Sequence, residues 1–167
     1  QYTGDIVVIS TGSKSYPKTG SDGLGYLLAQ NFGHTIITPT PGLVQLTSVG
    51  YFLKDWQGIR TDVKITLLEN KNIIKEELGE IQLTNYGISG ICVFNMSSYV
   101  SIGLNENKKE TIMINFLPMF KNRTALEKYI FFNNNNLKIG EILQKCLSQK
   151  LVNILLDICK ITPSSTW

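Results

Sequence analysis

The chain contains little of what most catalytic sites are built from. Its 167 residues include one histidine, His34, and three cysteines, Cys92, Cys146 and Cys159. None of these has the C-x-x-C or H-x-x-x-H spacing of zinc sites, so the sequence predicts no metal site. A Ser-His-Asp triad would have to use His34 as its base, and no G-x-S-x-G motif occurs. The sequence therefore favours neither a zinc enzyme nor a serine hydrolase.

The cysteines also bear on the compartment. Their odd number and lack of paired spacing argue against a disulfide scaffold and favour a reducing environment, so we expect a cytoplasmic protein. Cys146 and Cys159 lie among leucines and isoleucines in a helical pattern, which predicts that both pack in the core. The chain opens at Gln1 with neither an initiator Met nor a basic-then-apolar leader, which predicts a processed or excised chain.

Charged residues are scarce, at 17% against a usual value of about 25%. Sixteen Lys and Arg against thirteen Asp and Glu leave a net charge of +3. Arginine, the preferred reader of base edges, is rare, and no basic stripe stands out, so we expect no nucleic-acid partner. No apolar run reaches the roughly 18–20 residues of a membrane span, so we expect no membrane partner. The hydrophobic content of 43% excludes a disordered chain.

The first 40 residues have the pattern of one strand–loop–helix unit. Residues 5–10 read DIVVIS, a β-branched run typical of a strand buried on both faces of a parallel sheet. A loop rich in glycine and serine follows over residues 11–25, and a helix is predicted from near Ser21 to Gly33. One such unit cannot cover both faces of its strand. We therefore expect pairing with another chain, as a homo-oligomer, through an exposed edge formed by Ile6, Val7, Val8 and Ile9.

The rest of the chain divides into an antiparallel part and a helical part. Alternating apolar side chains predict strands over residues 61–69, 73–77, 79–84 and 111–116, with a hairpin turn at 70–72 and a short buried helix over 89–100. The period then becomes helical over residues 124–132, 139–147 and 151–158, with a loop at 133–136 and a corner near Gln149. The predicted fold class is α+β: a small antiparallel β-barrel or sheet, then a three-helix subdomain, preceded by the strand–loop–helix unit.

The loop over residues 11–25 is the best candidate for a ligand site, because glycine-rich loops before a helix present N–H groups to phosphates. A Walker motif fails, since Val8 and Ser13 stand where it needs glycine. A Rossmann fingerprint fails, since Leu28 stands at its last small position and residues 43–46 offer no acid. Two alternatives stay open from the residues alone: a loop shaped by its glycines for packing, and the phosphate site of a small enzyme.

Several stretches, taken together, resemble one known family. Residues 10–26 (STGSKSYPKTGSDGLGY) resemble the ATGG-x-SYP-x-TGSTGDGY segment of the BaiN-like, or aminoacetone oxidase-like, FAD-dependent oxidoreductases. Residues 33–36 (GHTI) and 41–46 (PGLVQL) resemble its GH-x-I and PALVPL stretches. Residues 79–90 (GEIQLTNYGISG) resemble its GE-x-LFTHYG-x-SGP, and residues 143–161 its helical LLPKRLA-x-LL segment. The resemblance is collinear and covers nearly the whole chain.

The resemblance implies a fragment. In that family a Rossmann-like FAD-binding domain is interrupted by an insert made of a β-barrel and a helical bundle. Residues 1–40 would be a partial FAD-binding segment, 41–120 the barrel part and 121–165 the helical part. The implied partner is the remainder of the FAD-binding domain, and the implied cofactor is FAD in the parent, with none bound by this chain. The implied function is an inactive piece of an oxidoreductase; the alternative is a free-standing interaction module derived from one.

The resemblance also implies cofactor-binding residues, but it leaves the catalytic residues unknown. The implied set is Thr11, Gly12, Ser13, Ser15, Tyr16, Thr19, Gly20, Gly23 and Gly25 in the first loop, and Asn85, Tyr86, Ser89 and Gly90 in the insert. Turn formation is the alternative role for these positions, most of all for the glycines. The chain departs from the family pattern at Ser13 (for Gly), Leu24 (for Asp), Asn85 (for His) and Ile91 (for Pro). These departures leave the implied fold intact and argue against activity.

Overall fold

The computed structural model describes residues 3–133 and 137–165, in two compact units that comprise residues 1–41 and 42–167. The first unit contains a short 3-10 turn, Pro17–Thr19, and helix α1, Leu24–Asn31. Helix α1 begins after Gly23, whose φ of 89° is left-handed, and the Asp22 carboxylate accepts a hydrogen bond from the Leu24 N–H at 2.9 Å. The predicted helix is thus confirmed, with its start three residues later.

The strand predicted over residues 5–10 is wrong for this structure, in which these residues form irregular chain without strand pairing. Ile6, Val7 and Val8 are 84%, 63% and 81% exposed. A strand is held by hydrogen bonds to a neighbouring strand, and the described residues of this unit contain no other strand. The segment therefore has the apolar pattern of a strand, but the described residues of this unit offer no strand with which it could pair. Oligomerisation through Ile6 to Ile9 stays a prediction.

The second unit is built on a curled, five-stranded antiparallel sheet. The strands lie in the order β1-β4-β3-β2-β5, with bounds Leu46–Thr47 (β1), Arg60–Glu69 (β2), Asn72–Thr84 (β3), Gly87–Ser89 (β4) and Glu110–Asn115 (β5). The predicted hairpin is confirmed. The two strands predicted at 73–77 and 79–84 form one strand, because Leu78 and Gly79 continue the pairing with Lys64 and Val63.

One face of the sheet forms the core, as its alternating pattern predicts. Val63, Ile65 and Leu67 of β2 and Ile81 and Leu83 of β3 are fully buried. Helix α3, Ile91–Asn105, covers this face with its own buried row of Cys92, Val93, Met96 and Val100. The short buried helix predicted at 89–100 is therefore confirmed as a helix, and it runs five residues further.

The remaining helices are α2 (Leu53–Trp56), α4 (Arg123–Asn133), α5 (Ile139–Gln144) and α6 (Gln149–Ile158). The predicted corner is confirmed: Ser148 caps α6, and its Oγ accepts a hydrogen bond from the Leu151 N–H at 3.4 Å. Leu151, Val152 and Leu156 belong to the same apolar cluster as the sheet, so α6 shares the core of the barrel part. The predicted loop at 133–136 lies, after Asn133, outside the described residues.

The cysteines differ in their surroundings. Cys92 is buried and Cys146 partly buried, whereas Cys159 is exposed. Packing of Cys159 in the core was a wrong prediction, because α6 ends at Ile158 and Cys159 is the residue that follows its last turn. Burial raises the pKa of the Cys92 thiol, which donates a hydrogen bond to the Glu80 carbonyl at 3.4 Å. Cys92 is therefore an unreactive packing residue.

Two glutamates lie directly opposite each other where β2 ends and β5 begins, because Glu69 pairs with Glu110. Burial, and then the charge of Glu69, raise the pKa of the Glu110 carboxyl, although Lys108 opposes the shift. Glu110 Oε2 is buried and has no hydrogen-bond partner among the described residues. The charged form of Glu110 is therefore disfavoured in the folded protein.

We expect Glu110→Gln to raise the free energy of unfolding near pH 7 by about 0.2–1 kcal/mol, the range for like charges opposed across a sheet. Because the folded state raises the pKa of Glu110, its contribution to stability is present below the unfolded pKa and lost as pH rises through the folded pKa. Urea unfolding should thus show a larger gain at pH 7 than at pH 4. Glu106→Gln, which removes the 2.8 Å ion pair with Lys108, is the control and should show no gain.

Candidate functional site

The four insert residues implied by the resemblance lie together at one corner of the second unit. Asn85 and Tyr86 form the turn between β3 and β4, Ser89 ends β4, and Gly90 precedes α3. The Tyr86 hydroxyl donates a hydrogen bond to Gln45 Oε1 at 3.0 Å. The Tyr86 carbonyl accepts one from the backbone N–H of Ser48 at 2.9 Å. The turn is thus tied to both ends of the segment that carries β1.

Two glycines at this corner lie where another stretch of backbone comes too close for any side chain. Gly87 has φ 151°, and a Cβ there would collide with the Leu46 carbonyl oxygen across the β1–β4 pair. Gly90 has φ 117°, and a Cβ there would lie 2.5 Å from the Glu80 carbonyl oxygen. Both positions hold the strands and the start of α3 together, so packing alone accounts for these glycines.

A buried tryptophan supports the turn. Trp56 Nε1 donates a hydrogen bond to the Thr84 carbonyl at 2.8 Å, one residue before Asn85. The indole is 6% exposed and meets the Phe52 ring edge to face, with centroids 4.7 Å apart. The next residue, Gln57, accepts a hydrogen bond at its carbonyl from Lys150 Nζ at 2.8 Å, which links α6 to the same segment. No motif in the sequence points to Trp56, because its partner is 28 residues away.

The segment before β1 is held against α3 by one buried hydroxyl. Ser97 is fully buried; its Oγ donates to the Phe94 carbonyl at 2.8 Å and accepts from the Val44 N–H at 3.1 Å. This fixes the backbone beside Leu43, whose φ of 55° is left-handed. The side chain of Leu43 is 74% exposed.

The two chain segments that form this corner carry no charged residue of their own. Residues 42–53 and 81–105, which we call the uncharged corner, contain no Asp, Glu, Lys or Arg. They nevertheless expose large apolar side chains, including Leu43 (74%), Val49 (94%), Tyr51 (70%) and Ile91 (75%). Exposed apolar patches mark binding surfaces, and the centres of protein interfaces are depleted in charge and enriched in aromatic residues. The geometry therefore indicates a contact surface here.

The nine loop residues lie in the first unit, where hydroxyl groups close the loop on itself. Ser21 Oγ lies 2.8 Å from the Thr11 carbonyl oxygen and 2.5 Å from that of Ser13, so its one hydrogen is shared between these two acceptors. Thr19 Oγ1 donates to the Tyr16 carbonyl at 2.8 Å. The Oγ atoms of Ser13 and Ser15 are 2.5 Å apart. Residues 11–20 are exposed, Gly23 is partly buried and Gly25 is buried beside Thr11.

This loop exposes serine hydroxyls, which are groups that can bind phosphate and ribose oxygens. The hydroxyls of Ser13 and Ser15 are paired with each other, and the Gly20 N–H donates a hydrogen bond to the Pro17 carbonyl at 2.9 Å. Gly12 and Gly20 have left-handed φ values of 77° and 94°, which the loop turns require. Ser13 does not have a left-handed φ, and its hydroxyl is hydrogen-bonded to that of Ser15, so a serine in place of the family's glycine is compatible with this loop.

Two kinds of site are not found within the described residues. No cluster of three or more His, Cys, Asp or Glu side chains in residues 3–133 and 137–165 could hold a metal ion. No helix in the same ranges is long and apolar enough to cross a membrane.

The fold and the corner first define a class: an α+β domain with a curled antiparallel sheet, a covering helix and a C-terminal helical part. The family then follows from comparison, since the profile described as "HI0933-like protein barrel and H2TH domain" matches residues 40–167. The chain belongs to this HI0933-like family of flavoproteins. The resemblance drawn from the sequence motifs is thereby confirmed.

Three curated relatives are similar to the chain. It is 40% identical over 118 residues to the 3-dehydro-bile acid delta(4,6)-reductase of Clostridium scindens. The aligned region covers 71% of this chain and 29% of that relative. It is 30% identical over 155 residues to the ribosomal RNA dihydrouridine synthase of Haemophilus influenzae, with the aligned region covering 90% of this chain and 35% of the relative. The Escherichia coli enzyme of the same name is 34% identical over 115 residues, and the aligned region covers 67% of this chain and 26% of that enzyme. The chain spans about a third or less of these relatives.

Proposed function

We propose that this chain is the barrel-and-helix part of an FAD-dependent oxidoreductase, together with one loop of the cofactor site, and that it is inactive without the rest of the flavoprotein. The observation that carries the proposal is the family match over residues 40–167 in a chain that spans 26–35% of its relatives' length. FAD supplies the redox chemistry in such enzymes, while protein groups bind and orient it.

The chain's own contribution to the cofactor site comes from the first loop. Ser13, Ser15 and the main chain at Gly12 would hold oxygen atoms of FAD, because they combine exposed hydroxyls with the tight turn that close approach needs. Gly20 would contribute the shape of the next turn, since its own N–H donates to the Pro17 carbonyl. Leu24, at the start of α1, is 52% exposed and offers no carboxylate to a ribose hydroxyl. We therefore expect weak retention of FAD by this loop alone.

The uncharged corner would receive the remainder of the FAD-binding domain. Its side chains of Leu43, Val49 and Ile91 are each at least 74% exposed. The two ranges to which they belong, residues 42–53 and 81–105, contain no charged residue. Asn85, Tyr86, Ser89 and Gly90 belong to this corner, so a partner seated there would also meet the residues implied to face the flavin. Burial of this apolar surface is worth about 25 cal/mol per Å² and would favour the assembled protein.

Flavin binding tests the proposal. FAD added to the purified 167-residue chain should produce no bound, shifted flavin spectrum at micromolar concentrations, whereas the complete flavoprotein that contains this sequence should retain FAD. Gly12→Val in the complete protein should release the flavin, because its Cβ would lie 2.8 Å from Ser21 Oγ at a left-handed φ. The exposed Asn153→Ala is the matched control and should keep the flavin. Micromolar or tighter FAD binding by the isolated chain would overturn the proposal.

A further inference from the structure

Strand β5 lies at one edge of the sheet and has a neighbouring strand on one side only. It pairs with β2 along its length, and no strand lies on its other side among residues 3–133 and 137–165. In an edge strand, every second residue directs its N–H and C=O groups away from the neighbour. Within the described part of the chain, no backbone hydrogen bond joins residues 111–115 to a segment other than β2. β5 therefore offers a free row of main-chain donors and acceptors.

β5 also lacks the features that normally keep an edge strand from pairing with another chain. Such edges are usually very short, or they carry lysine, proline or a bulge. β1, at the other edge of the sheet, has two residues, whereas β5 has six. The pairing of β5 with β2 runs in one uninterrupted register, and residues 111–117 (TIMINFL) contain no Lys, Pro or Gly. This edge is therefore suited to receive a further strand.

The core beneath β5 is incompletely closed. Ile112 and Ile114 lie on the core face, opposite Leu67 and Ile65 of β2. The two β2 side chains are fully buried, but Ile112 and Ile114 are only partly buried. On the other face of the sheet, Met113 is 54% exposed. Burial would be completed by an uncharged strand with apolar side chains at every second position, because such a strand continues both faces of the sheet.

The chain itself contains a strand of this kind, namely β5. We propose that β5 is the interface of a homodimer, in which the β5 strands of two copies pair antiparallel about a two-fold axis near Met113. Each copy then supplies the strand that the other lacks, and the same surface is used twice, as a two-fold interface requires. The two Met113 side chains would lie beside each other on the outer face of the joined sheets.

The placement of charge selects the antiparallel arrangement. Glu110 is the charged residue of β5, and residues 111–120 contain no charge. A parallel pair would set Glu110 opposite Glu110, and like charges opposed across strands are destabilising. In the antiparallel pair centred on Met113 the two Glu110 residues are about 20 Å apart, at about 3.4 Å per residue. That separation exceeds the screening length of about 8–10 Å, so their repulsion is small.

A pair of edge strands forms a small interface, below the 1,200 Å² or so of stable complexes, so we expect a dimer that depends on concentration. This inference goes beyond the proposed flavin function and does not depend on it. It is also distinct from the sequence-based prediction of a homo-oligomer through Ile6 to Ile9, which concerns another segment and stays a prediction.

Sedimentation equilibrium of the 167-residue chain, without flavin, tests the interface. With rising concentration the mass should increase from 18.7 kDa towards twice that value. Met113→Lys should weaken the dimer at least about fivefold, because it sets two like charges side by side and places a lysine on the edge. Leu78→Lys is the matched control: it adds the same charge on the same face, at a side chain that is 71% exposed on β3. It should stay within about twofold of wild type.

A charge exchange at residue 113 tests the two-fold geometry. Met113→Lys and Met113→Glu should each be monomeric alone, and an equimolar mixture should restore the dimer, because opposite charges then lie across the axis. Circular dichroism checks that each variant is folded. A wild type that stays monomeric, equal weakening by Leu78→Lys, or no dimer in the mixture would overturn the inference. Loss of the dimer in Val7→Lys, with none in Met113→Lys, would also overturn it and would assign the contact to Ile6 to Ile9. None of these outcomes bears on FAD, so the two proposals fail separately.

Discussion

Trp56→Ala is expected to lower the free energy of unfolding by about 3–5 kcal/mol, the range for removing a buried aromatic side chain. The indole is 6% exposed, packs edge to face on Phe52 and belongs to the central apolar cluster. Its loss leaves a cavity beneath the β3–β4 turn and removes the indole N–H that donates to the Thr84 carbonyl. Urea unfolding followed by circular dichroism measures the change.

Trp56→Phe separates packing from the hydrogen bond. It keeps a ring against Phe52 but removes the donor to the Thr84 carbonyl, a bond worth about 0.5–1.5 kcal/mol. We expect faster amide hydrogen exchange at Gly87 and Ile88 in this variant, because the turn loses its support. Tyr51→Ala, at an exposed neighbouring ring, is the control and should change stability by less than about 0.5 kcal/mol. A loss below 1 kcal/mol for Trp56→Ala would show that the turn does not rest on this residue.

Leu151→Ala is expected to cost about 2–5 kcal/mol. Leu151 is fully buried on α6 and belongs to the same cluster as Val63, Ile65 and Ile81 of the sheet. The barrel part and α6 therefore share one core and should unfold together. Urea unfolding followed by circular dichroism and by tryptophan fluorescence should give coincident curves for both the wild type and the variant.

Asn153→Ala, on the exposed side of the same helix, is the matched control for Leu151→Ala and should stay within about 0.5 kcal/mol of wild type. Two separate transitions, with Leu151→Ala shifting only the helical one, would mean that the helical part is an independent unit. The account of a shared core would then be wrong.

Hydrophobic periodicity predicted the secondary structure correctly where this chain contains both the apolar face and the segment that buries it. The alternation of Val63, Ile65 and Leu67 indicates one buried face, and α3 and the helical part are present to bury it. The continuous β-branched run at residues 5–10 predicted a strand that is absent, because no strand among the described residues of its unit is there to pair with it. A hydrophobic pattern predicts which side chains of a segment must be buried, but a stable strand or helix forms only where other segments of the chain are present to bury them.

The candidate site was only partly predictable. Sequence motifs drew attention to Tyr86 and Gly90 because these stand in a stretch that resembles a known family. Trp56 and Gln45 were missed, since each acts through a partner 28 or 41 residues away in the sequence. The uncharged corner is visible in the sequence as two ranges without charge, but only the structure shows that they meet, through the pairing of β1 with β4.

The central claim is that this chain works as part of a larger flavoprotein. The most direct test is the size of the native polypeptide, measured by blotting a lysate of the source cells with an antibody raised against this chain. The account predicts a band far above the 18.7 kDa of the 167 residues, and FAD in the protein that the antibody captures. A single band at 18.7 kDa without flavin would contradict it and would favour a free-standing interaction module.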